Sequence, residues 1–196
     1  MLFRSPGLYA LGDVPAPFGG ARAAYAWAIG TYAFDKYRGA RKKNAVKERA
    51  RLVLPEGVDG EAVSRLAQGV FLARDLINTP ANDMGPAELE AAAREIAEKG
   101  GAKISVVAGE TLIAQNYPMI HAVGRASTRA PRLIDFTWGN EAHPKVTLVG
   151  KGVCFDTGGL DLKNSSGMLT MKKEIGEHTS KLQSHLNLVC RLLLEK

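Results

Sequence analysis

Short apolar runs alternate with helix-patterned segments through most of this 196-residue chain, and that alternation constrains the fold more than any other feature. Ile104–Val107, Met119–Val123, Arg132–Thr137 and Val146–Val149 read as strands. Residues 110–115 read as a short helix between the first two. Further upstream, Asp59 caps a predicted helix running to about Ile77, with Val63, Leu66, Val70 and Leu76 on its apolar side. Asn78-Thr79-Pro80 breaks that helix, Gly85-Pro86 opens another over Ala87–Lys99, and Gly100-Gly101 ends it. Strands mixed with helices at these spacings predict an α/β chain, a mixed sheet flanked by helices in α/β/α layers. The runs LIDF (133–136) and VTLVG (146–150) are apolar enough to be central strands buried on both faces. At the amino end, Ala24, Trp27, Ala28, Tyr32 and Phe34 fall near helical spacing, which predicts an aromatic-rich helix over residues 20–37. Arg51–Leu54 reads as a strand stopped by Pro55 and Gly57.

Composition closes off several classes. No apolar run reaches the roughly 18 residues of a membrane span, and the first residues lack the basic flank and apolar core of a signal peptide, so a soluble cytoplasmic protein is expected. Cys154 and Cys190 show neither CxxC nor CxxH spacing and are expected to be reduced, buried thiols. The net charge of +6 is concentrated in residues 36–51, which hold eight Lys or Arg and one acid, Glu48. Such a cluster can neutralise phosphates. Tyr37 is the lone stacking ring within it, so a solvated connector or a subunit-facing surface is the favoured reading over a nucleic-acid site.

The chemistry concentrates between Val146 and Glu174. A strand delivers Lys151 and Asp156 just beyond its carboxyl end, where open α/β sheets place their sites, and the Gly158-Gly159 pair then turns the chain toward Lys163. A phosphate loop of the form GxxxxGK[ST] is excluded, since Lys145 and Gly152 stand where Gly and Ser or Thr are required. There is no GxSxG nucleophile elbow, and His121, His143, His178 and His185 lack HExxH spacing. What remains is two lysines with acids near glycine turns, compatible with oxygen-rich metal coordination plus a cationic electrophile, or with plain ion pairs beyond a strand.

These residues resemble a known family. RDLINTPANDMGP (74–86), PRLI (131–134), LVGKGVCFDTGG (148–159), LDLK (160–163) and GMLTMKKE (167–174) are similar to the leucine aminopeptidases, also called cytosol aminopeptidases, with resemblance from about residue 8 to 174. The resemblance implies a metal-dependent exopeptidase with two divalent ions per site, zinc or manganese. It implies peptide substrates with a free amino terminus and a homo-oligomer, a hexamer in the family. By position, Lys151 is implied to be an amine ligand of one metal, Asp156 a bridging carboxylate, and Glu174 a ligand where the family usually has Asp. Lys163 is implied to be the catalytic cation that polarises the scissile carbonyl, a role whose donors are worth about 3–4 kcal/mol. A ligating lysine must be neutral, whereas Lys163 must stay protonated.

Two departures qualify the resemblance. The family's NTDAEGRL segment, which supplies further metal carboxylates and an arginine, is absent from this sequence, which predicts little activity for the chain alone. After Glu174 the family's small residues give way to Glu177-His178, and Leu182, Leu186, Val189 and Leu193 predict an amphipathic helix over 179–195. The expected organisation is a remnant of an amino-terminal α/β domain (1–57), a connecting helix (58–77) and the first part of a catalytic domain (78–196). An inactive fragment or interaction module that joins full-length subunits is the alternative function, and DNA binding through residues 36–51 is another.

Overall fold

The structure is a computed structural model that describes residues 7–12, 19–39, 50–158, 160–169, 171 and the backbone of 191–195. It divides into two compact units, Met1–Asp75 and Leu76–Lys196.

In the first unit, β1 (Leu8–Ala10) pairs in parallel with β2 (Arg51–Val53), with α1 (Gly19–Gly30) between them in sequence. Tyr9 of β1 packs its ring 5.4 Å from that of Trp27 on α1. The helix predicted over 20–37 stops at Gly30, and Thr31 folds back to donate both its amide (3.1 Å) and its hydroxyl (2.8 Å) to the Ala28 carbonyl. Tyr32 therefore lies beyond the helix, yet it still packs, with its ring 5.4 Å from Phe71 and its hydroxyl donating to Asp75 at 2.7 Å. Both partners belong to α2 (Gly60–Asn78), whose start follows directly from Asp59: that carboxylate accepts the Glu61 and Ala62 amides at 2.9 and 3.0 Å. Of its predicted apolar side Val63 is buried but Leu66 is 62% exposed, because the inward stripe runs through Val63 and Ala67. Arg74 locks α2 to α1 by donating to the Ile29 carbonyl at 2.8 Å.

The second unit is built on α3 (Pro86–Gly100) lying across a four-stranded mixed sheet of β3 (Lys103–Ala108), β4 (Arg132–Trp138), β5 (Lys145–Val149) and β6 (Arg191–Glu195), in the order β3-β4-β6-β5. β3 runs antiparallel to β4, β6 runs parallel to β4, and β5 runs antiparallel to β6. Pro86 occupies the first turn of α3, where its missing N–H is harmless. The Glu88 carboxylate reaches back to accept the Gly85 amide at 2.9 Å, and Gly101 ends the helix in the left-handed conformation at φ 65°. The helix buries Ala93 and Ala97 against Ile134 and Phe136 of β4, with Ala102, Ile104 and Val106 around them. Small alanines at these positions let the helix axis approach the sheet closely. Trp138 closes the far end by donating its indole N–H to the Gly100 carbonyl at 2.8 Å.

Three expectations are corrected here. Met119–Val123 is not a strand but part of α5 (Pro118–Gly124), which follows the one-turn α4 (Thr111–Ala114). Pro118 in the first turn starts that helix, and Met119 and Val123, at 75% and 72% exposure, are apolar residues on an outer face rather than a buried period-two row. LIDF is buried as predicted at Leu133, Ile134 and Phe136, but β5 is exposed along most of its length, with Val146 and Leu148 at 49% and 44%. It occupies the edge of the described sheet and not its centre. Residues 191–195, expected at the end of a helix, form strand β6; the remainder of that predicted helix, residues 179–190, lies outside the described residues, as does Cys190. Most of the basic cluster, residues 40–49, also lies outside them. Among the described residues, no helix is long and apolar enough to cross a membrane.

Glu90 joins the helix to the sheet at one charged point. Its carboxylate accepts from Arg94 at 2.8 Å and from Arg132 on β4, and its side chain is 13% exposed. Burial by itself raises the Glu90 pKa, but the hydrogen bonds from Arg132 and Arg94 outweigh it and the net shift is downward. Its contribution is therefore complete above the ordinary glutamate range and is lost as pH falls through the lowered pKa. Glu90→Ala is expected to destabilise the protein by about 1–2 kcal/mol at neutral pH, as charged hydrogen bonds do. In urea melts the gap from wild type should close as pH falls through that lowered value; a gap independent of pH would contradict the assignment.

Candidate active site

Beyond β5 the chain leaves the sheet as an extended stretch, residues 150–158, that carries Lys151 and Asp156 and packs against the start of α3. Leu89 of α3 lies so close over Gly152, 2.7 Å from where a Cβ would stand, that a side chain there would have to displace it. Cys154 lies in the same stretch as a free, half-buried thiol, and burial, with the Glu88 charge adding, pushes it up to about 11. The thiol is therefore neutral at neutral pH, and it is half-buried where the sequence predicts a buried one.

The turn that follows determines the chemistry. Gly158 adopts φ +92°, and a Cβ on it would collide with the Asp161 carbonyl oxygen. Only glycine accommodates both the backbone conformation and the approach. The Lys163 amide then donates to the Thr157 carbonyl at 2.9 Å, so the turn closes and the Lys163 side chain is carried back toward Asp156. Asn164 stops the return: its side-chain oxygen accepts the Gly167 amide at 2.8 Å and starts α6 (Ser165–Leu169).

The result is a compact polar constellation. The Lys163 ammonium stands 2.7 Å from Oδ1 of Asp156, and the same oxygen accepts the Gly158 amide at 2.9 Å. The ammonium also points at the buried Met171 sulfur, 2.9 Å away. The hydrogen bond from Lys163 is the largest influence on the Asp156 carboxyl and lowers its pKa; partial burial opposes this, while the Gly158 amide and the charge of Lys151 add to the lowering. Lys151, half-buried, is thus felt electrostatically at Asp156. The structure brings Lys151, Asp156 and Lys163 to one place, while Glu174 lies outside the described residues.

Whether these residues fit a divalent metal is a question of donor chemistry. Hard divalent ions take several oxygen or imidazole ligands, and among the described residues no group of three or more His, Cys, Asp or Glu is placed to hold one. The one carboxylate at the centre is engaged by an ammonium. The described residues therefore do not compose a metal site by themselves.

Sequence patterns did not reveal Arg129. From the segment between α5 and β4 it donates to the Ala81 carbonyl at 2.9 Å and the Asn82 carbonyl at 2.6 Å, and lies 3.6 Å from Glu88. It thereby fixes the turn before α3, the helix on which the Lys151 stretch rests. A long-range clamp onto backbone carbonyls follows no local spacing, so only the folded chain shows it.

The fold and this constellation define an α/β domain with a lysine–aspartate pair beyond the carboxyl end of a strand. The catalytic-domain pattern of the cytosol aminopeptidase family matches residues 71–183, more than half of the chain, and the chain belongs to that family. Among curated relatives, it is 34% identical over 183 residues to a protein of Sinorhizobium fredii named "Probable cytosol aminopeptidase", an alignment covering 88% of this chain and 36% of the relative. The chain thus spans only about 36% of the length of such a relative. Among solved structures, the cytosol aminopeptidase of Coxiella burnetii is similar with a TM-score of 0.79 and 40% identity, covering 98% of this chain and 43% of that one. The bottromycin maturation enzyme BotP, solved in complex with Mn, is similar with a TM-score of 0.61 and 28% identity over 89% of this chain and 38% of that one.

Gly158→Ala is expected to cost at least about 1–2 kcal/mol, because the added methyl meets both a disfavoured φ and a backbone oxygen. Urea denaturation at pH 7 measures this. A variant as stable as wild type would show that the turn is not shaped as described.

Proposed function

We propose that this chain is the lysine–aspartate portion of a metal-dependent aminopeptidase that removes residues from the free amino end of peptides. The observation that carries the reading is the placement of the Lys163 ammonium against Asp156 on the turn beyond β5, half-buried and beside a second cation, Lys151. An ammonium held by a carboxylate is kept protonated, and a protonated amine at a partly desolvated site is a donor to an oxygen on which negative charge develops. In this reading Lys163 donates to the carbonyl oxygen of the scissile amide, and Asp156 sets where that ammonium points.

Lys151, Asp156 and Glu174 are proposed metal ligands on the strength of the resemblance, with zinc or manganese as the ions; the Mn complex of the BotP relative supports a divalent ion in this family's sites. The described donors are too few to complete such a site. The resemblance implies further carboxylates that the described residues do not hold, and the chain alone is proposed to be inactive. The hexameric assembly and a cytoplasmic location belong to the same proposal, as does the division into residues 1–57, 58–77 and 78–196.

A second reading is that the chain acts as an interaction module joining full-length subunits. Phe155, Leu160, Leu162 and Leu169 support it, since these large apolar side chains flank the site at 51–108% exposure.

The test is release of leucine from a leucyl amide. The purified chain with Mn²⁺ or Zn²⁺ is expected to release little. Coexpression with the remaining part of the Coxiella burnetii relative, the part this chain does not cover, is expected to give release that a chelator stops and Lys163→Ala abolishes. Robust chelator-sensitive release by the chain alone, lost in Lys163→Ala, would contradict the inactivity. No release from any coexpressed, folded complex would contradict the peptidase reading itself.

A further inference from the structure

We infer that Arg129 is a positioning residue of the proposed site: it sets the start of α3, and through Leu89 it seats the stretch that carries Lys151 and Asp156. The inference deepens the peptidase reading and rests on it, but it concerns the placement of the stretch and not the hydrolysis. The guanidinium reaches the loop before α3, where it donates to the Ala81 carbonyl at 2.9 Å and the Asn82 carbonyl at 2.6 Å. Its own backbone is held by the Ser127 hydroxyl oxygen, which accepts the Arg129 amide at 3.0 Å. On the other side it lies 3.6 Å from the Glu88 carboxylate, whose Oε2 accepts the Gly85 amide at 2.9 Å. One side chain thus ties together the loop, the residue before the helix and the first helical turn. A lysine would supply the charge but not the planar fork that meets two carbonyls.

Two close fits carry that order into the site. A Cβ on Gly85 would stand on the Arg129 guanidinium, so the missing side chain is what lets the clamp close. One turn further on, the Leu89 amide donates to the Gly85 carbonyl at 3.0 Å, and the Leu89 side chain lies over Gly152, the residue after Lys151. A shift of the α3 start therefore moves the seat of the stretch directly. Cys154, two residues before Asp156, reports on the same contact. Burial raises its pKa most, the Glu88 charge adds to the rise and the Arg129 charge opposes it, so both members of the clamp are felt at this thiol.

Alkylation of Cys154 by iodoacetamide in the purified chain tests this, with peptide-resolved mass spectrometry separating Cys154 from Cys190. Arg129→Ala is expected to be alkylated at Cys154 about tenfold faster than wild type, the factor that loss of a charged hydrogen bond implies for a local opening. The sign is decisive: removing the guanidinium charge alone would raise the thiol further and slow the reaction, so acceleration reads lost packing. Arg129→Lys, the milder change, is expected to fall between the two. Gly85→Ala, which pushes the guanidinium aside, is expected to accelerate alkylation by itself and to add nothing to Arg129→Ala. Gly101→Ala, which strains the far end of the same helix, is expected to leave Cys154 as in wild type. Far-UV circular dichroism confirms that each variant is folded. Unchanged alkylation in both Arg129→Ala and Arg129→Lys, an equal acceleration in Gly101→Ala, or a full further gain when Gly85→Ala is added to Arg129→Ala would each overturn the inference. None of these outcomes depends on hydrolysis, so the inference and the peptidase reading fail separately.

Discussion

The packing of α3 against β4 positions everything that follows it in the second unit. Ala93 and Ala97 bury their methyl groups on Ile134 and Phe136, and Glu90 fastens the same helix to Arg132 on the strand. Because the helix is held there, Leu89 at its first turn is available as a rest for the stretch that leaves β5, and the close fit over Gly152 leaves that stretch little freedom. The Arg129 clamp reinforces the arrangement from the other side by fixing the backbone at Ala81 and Asn82 just before the helix begins. Apolar burial of side chains of this size contributes about 1.5–3 kcal/mol each for the larger ones. The charged clamps add specificity of position more than energy.

On that platform the glycine turn converts a sequence separation of seven residues into a contact. Asp156 and Lys163 meet because Gly158 can adopt a left-handed conformation and let the Asp161 carbonyl pass where a side chain would stand. Each lysine then has a different relation to the single carboxylate: Lys163 touches it and Lys151 is felt through its field. Among the described residues, two cations thus gather about one carboxylate. The acid-rich ligand set that the resemblance implies is the complement such a centre needs.

Much of this was legible from local pattern. The Asp59 cap, the Gly85-Pro86 helix start, the Gly101 stop and the buried LIDF strand all follow from chemistry confined to a few neighbouring residues, and each stands as expected. The glycine turn after Asp156 was legible in the sequence, whereas the roles of Lys151, Asp156 and Lys163 came from the resemblance. The misreadings share a physical cause. Met119–Val123 and the VTLVG run are apolar by composition, but whether an apolar residue is buried depends on what covers it, and nothing local encodes that. Likewise Leu193 fell on the predicted helical stripe, and it is pairing with β4 and β5, dozens of residues away, that selects the strand. Arg129 was illegible for the same reason, since its partners lie 47 and 48 residues upstream and are backbone atoms.

The central claim is that Lys163 and Asp156 are energetically coupled and not merely adjacent. A double-mutant cycle on thermal or urea stability, using Lys163→Met, Asp156→Asn and the pair together in metal-free buffer, measures that coupling directly. The account predicts a favourable interaction of about 0.5–1 kcal/mol that weakens with added salt, as befits a partly exposed ion pair. Strictly additive single effects, with no coupling at low salt, would contradict it.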